Sequence, residues 1–205
     1  MKQLNFLQVL DEDQEVSSDT FDYRPKIINE QDCERYLTTF LRDAPWSQLT
    51  TVMYGKEVVT PRLYAWYGDR NVDYSLNGEG SQPVLWTPEL LEIRKKVEAI
   101  SGIVFNSVLL NLYRDQNDSV AWHSDRDAVP GRNQYVASVS FGQERYFDLR
   151  QKNDHSKKFR VLLENGSYLL MKGAFQDKWE HRVAKSRIPM KPRINLTFRI
   201  SHSLK

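Results

Sequence analysis

Two stretches in the first half of the chain place apolar residues at helical spacing, and most of the second half alternates apolar with polar in the period of strands. Cys33, Tyr36, Leu37, Phe40 and Leu41 form the first helical stripe, capped by Asn29 and closed by Pro45. Leu90, Ile93, Val97 and Ile100 form the second, on a helix started by Thr87 and Pro88 and stopped at Gly102. After it come segments rich in β-branched and aromatic residues: Val104–Tyr113, Tyr135–Gly142, Arg145–Arg150, Phe159–Leu163, Ser167–Met171 and Arg193–Ser201. Asn165-Gly166 is a hairpin signal between two of these strands. Helices first and strands afterwards predict an α+β, mainly β fold, a double-sheet barrel of the jelly-roll kind braced by helices on one side. Residues 1–24 are polar and acidic and are expected as a flexible tail, with residues 25–205 as a single domain. Neither a repeat nor a dividing linker interrupts that domain.

Composition narrows the class without choosing a function. A chain of 205 residues, 40% hydrophobic and 27% charged, is long enough to bury a core without staples. The net charge of +2 permits a polyanionic partner but does not demand one. Lys157-Lys-Phe-Arg160 and Arg94-Lys-Lys96 are the nearest approaches to a basic run, and each reads as a solvated face. A single cysteine, Cys33, excludes an intramolecular disulfide, suits a reducing compartment and sits where core packing is its expected job. No apolar run approaches the ~20 residues that span a bilayer, and the N-terminus lacks a signal-peptide core. An intracellular protein acting without a membrane is expected, in the cytoplasm, or in the nucleus if the host is eukaryotic.

Chemistry concentrates in two places. In Trp122-His-Ser-Asp125, an extended backbone would point His123 and Asp125 the same way, as two ligands of one metal require. A third ligand must come from a distant segment; of the remaining histidines, His155 and His202 read as surface residues, and His181 lies in a late extended segment. Two His and one Asp can cap one face of an Fe(II) ion and leave its other positions open. The second place is Arg193-Ile-Asn-Leu-Thr-Phe-Arg199. Arg193, Asn195, Thr197 and Arg199 share one strand face, and Ile194, Leu196, Phe198 and Ile200 share the other. Asn111 and Tyr113 repeat the pattern against Leu110 and Leu112. Six rises of ~3.3 Å set the two arginines roughly 20 Å apart at Cα, so gripping one small ligand requires them to lean together. Two guanidiniums can hold a dicarboxylate by charge-assisted, bidentate bonds. A metal beside a dicarboxylate clamp is the equipment of a 2-oxoglutarate-dependent oxygenase.

Together, Asn111-Leu-Tyr113, His123-x-Asp125, Ala137-Ser-Val-Ser-Phe-Gly142, His181 and Arg193-x-Asn-Leu-Thr-Phe-Arg199 strongly resemble the AlkB family, over roughly residues 50–201. Pro61-Arg62, Tyr67-Gly-Asp69 and Tyr74 resemble the nucleotide-recognition segment of its DNA-repair subgroup, expected at about 50–85. The resemblance implies a double-stranded β-helix core, with Fe(II) held by His123, Asp125 and His181. It also implies the co-substrates 2-oxoglutarate and O2, with 2-oxoglutarate clamped by Arg193 and Arg199 and contacted by Asn111, Tyr113, Asn195 and Thr197. Arg126 and Asp127 match positions that face the damaged base, and Tyr54 falls where DNA-acting relatives carry an apolar finger, usually Phe. Tyr74 and Trp122 offer an aromatic wall for a flat cationic base; Arg62 and Leu76 complete the expected substrate contacts.

The activity implied is oxidative demethylation, or dealkylation, of N-alkylated bases such as N1-methyladenine and N3-methylcytosine in DNA. It is coupled to decarboxylation of 2-oxoglutarate to succinate and releases formaldehyde. Single-stranded or duplex DNA with alkylated bases is the expected partner, RNA stays open, and the enzyme is read as a monomer. Two other readings remain: an oxygenase of the same fold acting on RNA, protein or a small molecule, and a non-catalytic nucleic-acid-binding barrel.

Overall fold

The computed structural model describes residues 8–9, 20–53, 56–70, 72–73, 83–125 and 135–203. The chain opens with β1 (Gln8–Val9) and β2 (Phe21–Arg24), followed by α1 (Glu30–Asp43). Next come β3 (Ser47–Met53), β4 (Lys56–Gly68), β5 (Val72–Asp73), β6 (Val84–Leu85) and α2 (Pro88–Ser101). The central strands are β7 (Ser107–Tyr113), β8 (Val120–His123), β9 (Val136–Gly142), β10 (Arg145–Gln151), β11 (Lys158–Leu163) and β12 (Tyr168–Met171). A short α3 (Phe175–Lys178) leads into β13 (Trp179–Val183), and β14 (Arg193–Arg199) and β15 (His202–Ser203) close the chain.

Both long helices begin and end on the expected signals. The Asn29 side chain accepts from the Asp32 N–H at 2.8 Å, and α1 buries Cys33, Tyr36 and Phe40. The Thr87 hydroxyl accepts from the Leu90 N–H, Pro88 opens α2, and Gly102 ends it in the left-handed conformation. Leu90, Ile93 and Val97 are its buried stripe.

The strands form two principal sheets. The larger has the order β2-β12-β9-β14-β7-β4-β3, with β6 added parallel to β4; the smaller is β1-β11-β10-β13-β8. The remaining pairings are antiparallel, as a jelly roll requires. One face of the larger sheet gives Leu110, Val139, Ile194, Leu196 and Phe198 to a core shared with both long helices. Between the sheets lies a second apolar cluster, including Phe147, Leu149, Val161, Leu169 and Trp179. The two long helices, the large sheet and the small sheet are thus three layers, with α1 and α2 packed on the large sheet.

Several expectations change in detail. Segment 1–24, read as a flexible tail, contributes β1, paired to β11, and β2, paired to β12; Phe21 is buried between the sheets. The strand expected from Val104 starts at Ser107, and the last long strand stops at Arg199 rather than Ser201. Asn165-Gly166 does turn the chain, but not as a hairpin: β11 belongs to the small sheet and β12 to the large one. The turn carries the chain across the gap between layers and is tied to three places. Gly142 N–H donates to Asn165 Oδ1 at 2.9 Å, Gly166 N–H to the Ser140 carbonyl at 2.8 Å, and Ile27 N–H to the Gly166 carbonyl at 2.9 Å. Among the described residues no helix is long and apolar enough to cross a membrane.

Gly166 has φ +76°, and a Cβ there would lie 2.6 Å from the Ile28 carbonyl oxygen and 2.8 Å from Cys33 Sγ. Gly102 has φ +71° but open space around it. Gly166→Ala should therefore cost about 2–4 kcal/mol in urea unfolding and Gly102→Ala about 1–2, because only the first adds a clash to the backbone strain.

Candidate metal centre and dicarboxylate pocket

The small sheet brings the two histidines together. His181 on β13 is the ladder partner of His123 on β8, and their ring centroids are 4.2 Å apart. Asp125 lies two residues beyond the end of β8, and one potential ligand atom from each of the three residues falls within 4.8 Å of the others. The Nε2 atoms of His123 and His181 stand 3.9 and 3.8 Å from the two carboxylate oxygens of Asp125. His123 Nδ1 is 2.9 Å from the Ala121 carbonyl, which can only accept, so Nδ1 carries the proton and Nε2 keeps its lone pair. Three donors converging in this way are a fit for one transition-metal ion of the Fe(II) class.

Electrostatics favour the metal-binding protonation states. Burial works to raise the Asp125 pKa, but Arg199 and the two histidines outweigh it and hold the carboxyl down at about 2. Arg199 Nη2 donates to Asp125 Oδ1 at 2.5 Å. Burial lowers the His181 pKa to about 3, so its ring is neutral at physiological pH.

The inner face of β14 builds the rest of the site. Its register sets Arg193 beside Tyr113, Asn195 between Asn111 and Ser140, and Thr197 between Leu109 and Ser138. Arg193 is 1% exposed; Nη2 donates to Ser140 Oγ at 3.0 Å, while Nε and Nη1 are buried with no hydrogen-bond partner among the described residues. Burial draws this guanidinium down to about 10, which leaves it cationic at neutral pH. A buried cation with two unsatisfied donors is what the carboxylate of a small ligand would complete. Asn195 Nδ2 donates to Ser138 Oγ at 2.5 Å and its Oδ1 accepts from Thr197 Oγ1 at 3.0 Å, so both ends of that amide are already oriented. Metal cluster and arginine line one cavity between the sheets, of about 550 Å³ including its open mouth. Leu109, Val120 and Phe147 supply part of its apolar wall.

His123, Asp125, His181, Asn111, Tyr113, Arg193, Asn195, Thr197 and Arg199 all reach this cavity. Both arginines line the cavity: Arg199 bonds Asp125 among the candidate metal ligands, and Arg193 bonds Ser140 further along the same strand face. Arg62 also lines the cavity, where its Nε donates to Asn111 Oδ1 at 2.9 Å. Trp122 does not line it. Its ring is held between the guanidiniums of Arg150 and Arg182, at 4.4 and 4.5 Å, on the face of the small sheet opposite His123. The expected aromatic wall from Trp122 is therefore withdrawn; a β-strand cannot turn adjacent residues to one face. Tyr54, Tyr74, Leu76, Arg126 and Asp127 lie outside the described residues.

Four further residues were not anticipated. Ser138 and Ser140 alternate with Ala137, Val139 and Phe141, a period that pointed to them once β9 was paired to β14. Arg145, 3% exposed, donates to the carbonyls of Asp115, Asp118 and Ala184 and stands over the Tyr113 ring at 5.6 Å, with Arg193 at 5.1 Å from the same ring. Gln176 accepts from the Asp125 N–H at 2.9 Å. Nothing local in the sequence distinguishes these last two from surface residues.

Residues 20–199 match the profile of the 2OG-Fe(II) oxygenase superfamily. The chain is 38% identical over 183 residues to alpha-ketoglutarate-dependent dioxygenase alkB homolog 3 of Bos taurus, an alignment covering 85% of this chain and 64% of that protein. It is 36% identical over 156 residues to DNA oxidative demethylase ALKBH2 of Homo sapiens, covering 72% of this chain and 59% of that one. The chain thus spans less than two thirds of the length of these relatives. The solved structure of OsALKBH1 superposes with a TM-score of 0.65 over 90% of this chain and 100% of that chain, at 18% identity, a likeness of fold.

In the metal-free protein, His181 stays neutral to about pH 3, whereas its unfolded-state value is 6.5. The unfolded chain therefore gains the proton first, and stability present above pH 6.5 is lost as the pH falls from there toward 3. Asp125, at about 2 against 3.8, adds a loss of the same sign at lower pH. Urea unfolding in chelator should weaken by on the order of 2 kcal/mol from pH 6.5 to 5, and His181→Gln should remove that slope.

Proposed function

The chain belongs to the 2OG-Fe(II) oxygenase superfamily and, within it, to the AlkB family, and on that premise we propose that it is an oxidative demethylase of alkylated nucleic acid bases. The observation that carries the proposal is the joint lining of one cavity by the His123–Asp125–His181 cluster and the buried, under-satisfied guanidinium of Arg193. The relatives' names, an alpha-ketoglutarate-dependent dioxygenase and a DNA oxidative demethylase, support the same reading.

His123, Asp125 and His181 would hold Fe(II), which supplies the O2 activation that converts 2-oxoglutarate to succinate and carbon dioxide and hydroxylates an N-alkyl carbon. Arg193 receives the distal carboxylate of 2-oxoglutarate, with Tyr113 and Ser140 orienting the guanidinium. Arg199 keeps Asp125 ionised and in place. The cationic hydroxymethylated base then loses formaldehyde from the N–C bond and a proton from the hydroxyl to water, which returns the lone pair to adenine N1 or cytosine N3; no general-base side chain need be assigned.

N1-methyladenine and N3-methylcytosine in DNA are the proposed substrates. Methylation there removes the pairing edge, which lowers the cost of extruding the base from a duplex. Arg62 sits at the cavity with its guanidinium on Asn111, so the strand β4 that carries it would meet the base beside the co-substrate. Tyr54, Tyr74, Leu76, Arg126 and Asp127 are the further residues we assign to the base, on sequence grounds.

Oligonucleotides carrying one N1-methyladenine, single-stranded and duplex in parallel, test the proposal by mass spectrometry with Fe(II), 2-oxoglutarate and O2. Methyl loss with the wild type, at least ~10³-fold slower in His123→Ala, is expected, since the metal supplies the whole oxidation. Succinate formation without methyl loss from any DNA or RNA would move the substrate outside nucleic acid. No turnover of either kind would favour a non-catalytic binding barrel.

A further inference from the structure

The ladder that positions His123 and His181 does not reach Asp125. β8 ends at His123, and the last β8–β13 partner on that side is the His123–His181 pair itself. Two other bonds carry the backbone onward. Ser124 Oγ donates to the Trp179 carbonyl at 2.8 Å, and the Asp125 N–H donates to Gln176 Oε1 at 2.9 Å. Gln176 is 4% exposed and sits on α3, directly before the strand that holds His181. The other end of its amide, Nε2, lies 3.5 Å from Met171 Sδ, which fixes the amide so that Oε1 faces Asp125. The turn itself is anchored by Phe175, fully buried, and by Lys152 Nζ, which donates to the Gln176 carbonyl at 2.7 Å.

We propose that Gln176, aided by Ser124, is a positioning residue for the metal centre: it holds the Asp125 backbone where β-pairing has ended and thereby sets the carboxylate against His123 and His181. The inference rests on reading those three residues as metal ligands. Arg199 restrains the carboxylate from its oxygen end, and Gln176 restrains it from the main chain. Removing the acceptor takes away the hydrogen bond that ties the Asp125 N–H to α3 and lets the ligand drift relative to its two partners. Because α3 and β13 are contiguous, the brace also ties Asp125 to the element that positions His181.

The test is Mn(II) binding to chelator-stripped protein, read from the electron paramagnetic resonance of free Mn(II), alongside the unfolding midpoint of the metal-free form. The wild type should bind one Mn(II); if it binds none, the metal reading falls and the inference with it. Gln176→Met, similar in volume but without the acceptor, should bind about 10- to 100-fold more weakly, the usual range for a lost outer-shell partner. Gln176→Glu keeps an acceptor at the same reach and should recover at least roughly five-fold of that loss. Should Gln176→Met fail to fold, Ser124→Ala removes the parallel tie and should weaken Mn(II) binding by about 3- to 10-fold. Folded Gln176→Met, or in its place Ser124→Ala, that binds Mn(II) as the wild type does would overturn the proposal. So would equal weakening in the Met and Glu variants, since the acceptor would then not be the cause.

Discussion

The two-residue period of β14 is the constraint on which the rest of the structure depends. Its odd-numbered residues face the cavity and its even-numbered ones face the helices, and no slip of one residue is tolerable because either face would then be destroyed. Ile194, Leu196 and Phe198 are fully buried against α1 and α2. That packing holds Arg193, Asn195, Thr197 and Arg199 inward, in register with Tyr113, Asn111, Ser140 and Ser138 on the flanking strands. Helix capping at Asn29 and Thr87 therefore bears on the site indirectly, by setting the stripes that β14 packs against.

Charge is distributed along this floor so that each buried ion meets a different fate. Asp125 is matched by Arg199, and burial keeps His181 beside it neutral. Arg193 is stacked on Tyr113 and bonded to Ser140, yet two of its nitrogens find no hydrogen-bond partner among the described residues. A buried cation left under-satisfied is costly, and a structure that keeps one is most economically explained by an anionic ligand that completes it. The small sheet supplies the metal donors and the large sheet the anion site, so the function proposed here needs both layers at their observed spacing.

Much of this was legible in the chain. Helix boundaries were plain because caps, periodicity and the Pro45 and Gly102 stops agree. The candidate ligands and clamps could be singled out because so few residue types can do that chemistry, and because their spacing carries a family resemblance. What failed depended on partners distant in sequence. Asn165-Gly166 signals a turn, but only the tertiary pairing decides that it crosses between sheets. Trp122 next to His123 invited a role in the pocket, whereas strand alternation puts it on the outer face between two arginines that lie 28 and 60 residues further along the chain. Arg145 and Gln176 act through backbone groups of other elements, and no local pattern marks such contacts in advance.

The claim that metal and dicarboxylate share the cavity between the sheets is tested most directly by calorimetric titration of 2-oxoglutarate into Mn(II)-loaded protein, wild type against Arg193→Met. One equivalent should bind to the wild type, and affinity should fall by about 10- to 100-fold in Arg193→Met while Mn(II) binding is unchanged, as the loss of a charge-assisted pair predicts. Equal affinity in the two proteins would place the dicarboxylate elsewhere and contradict the account.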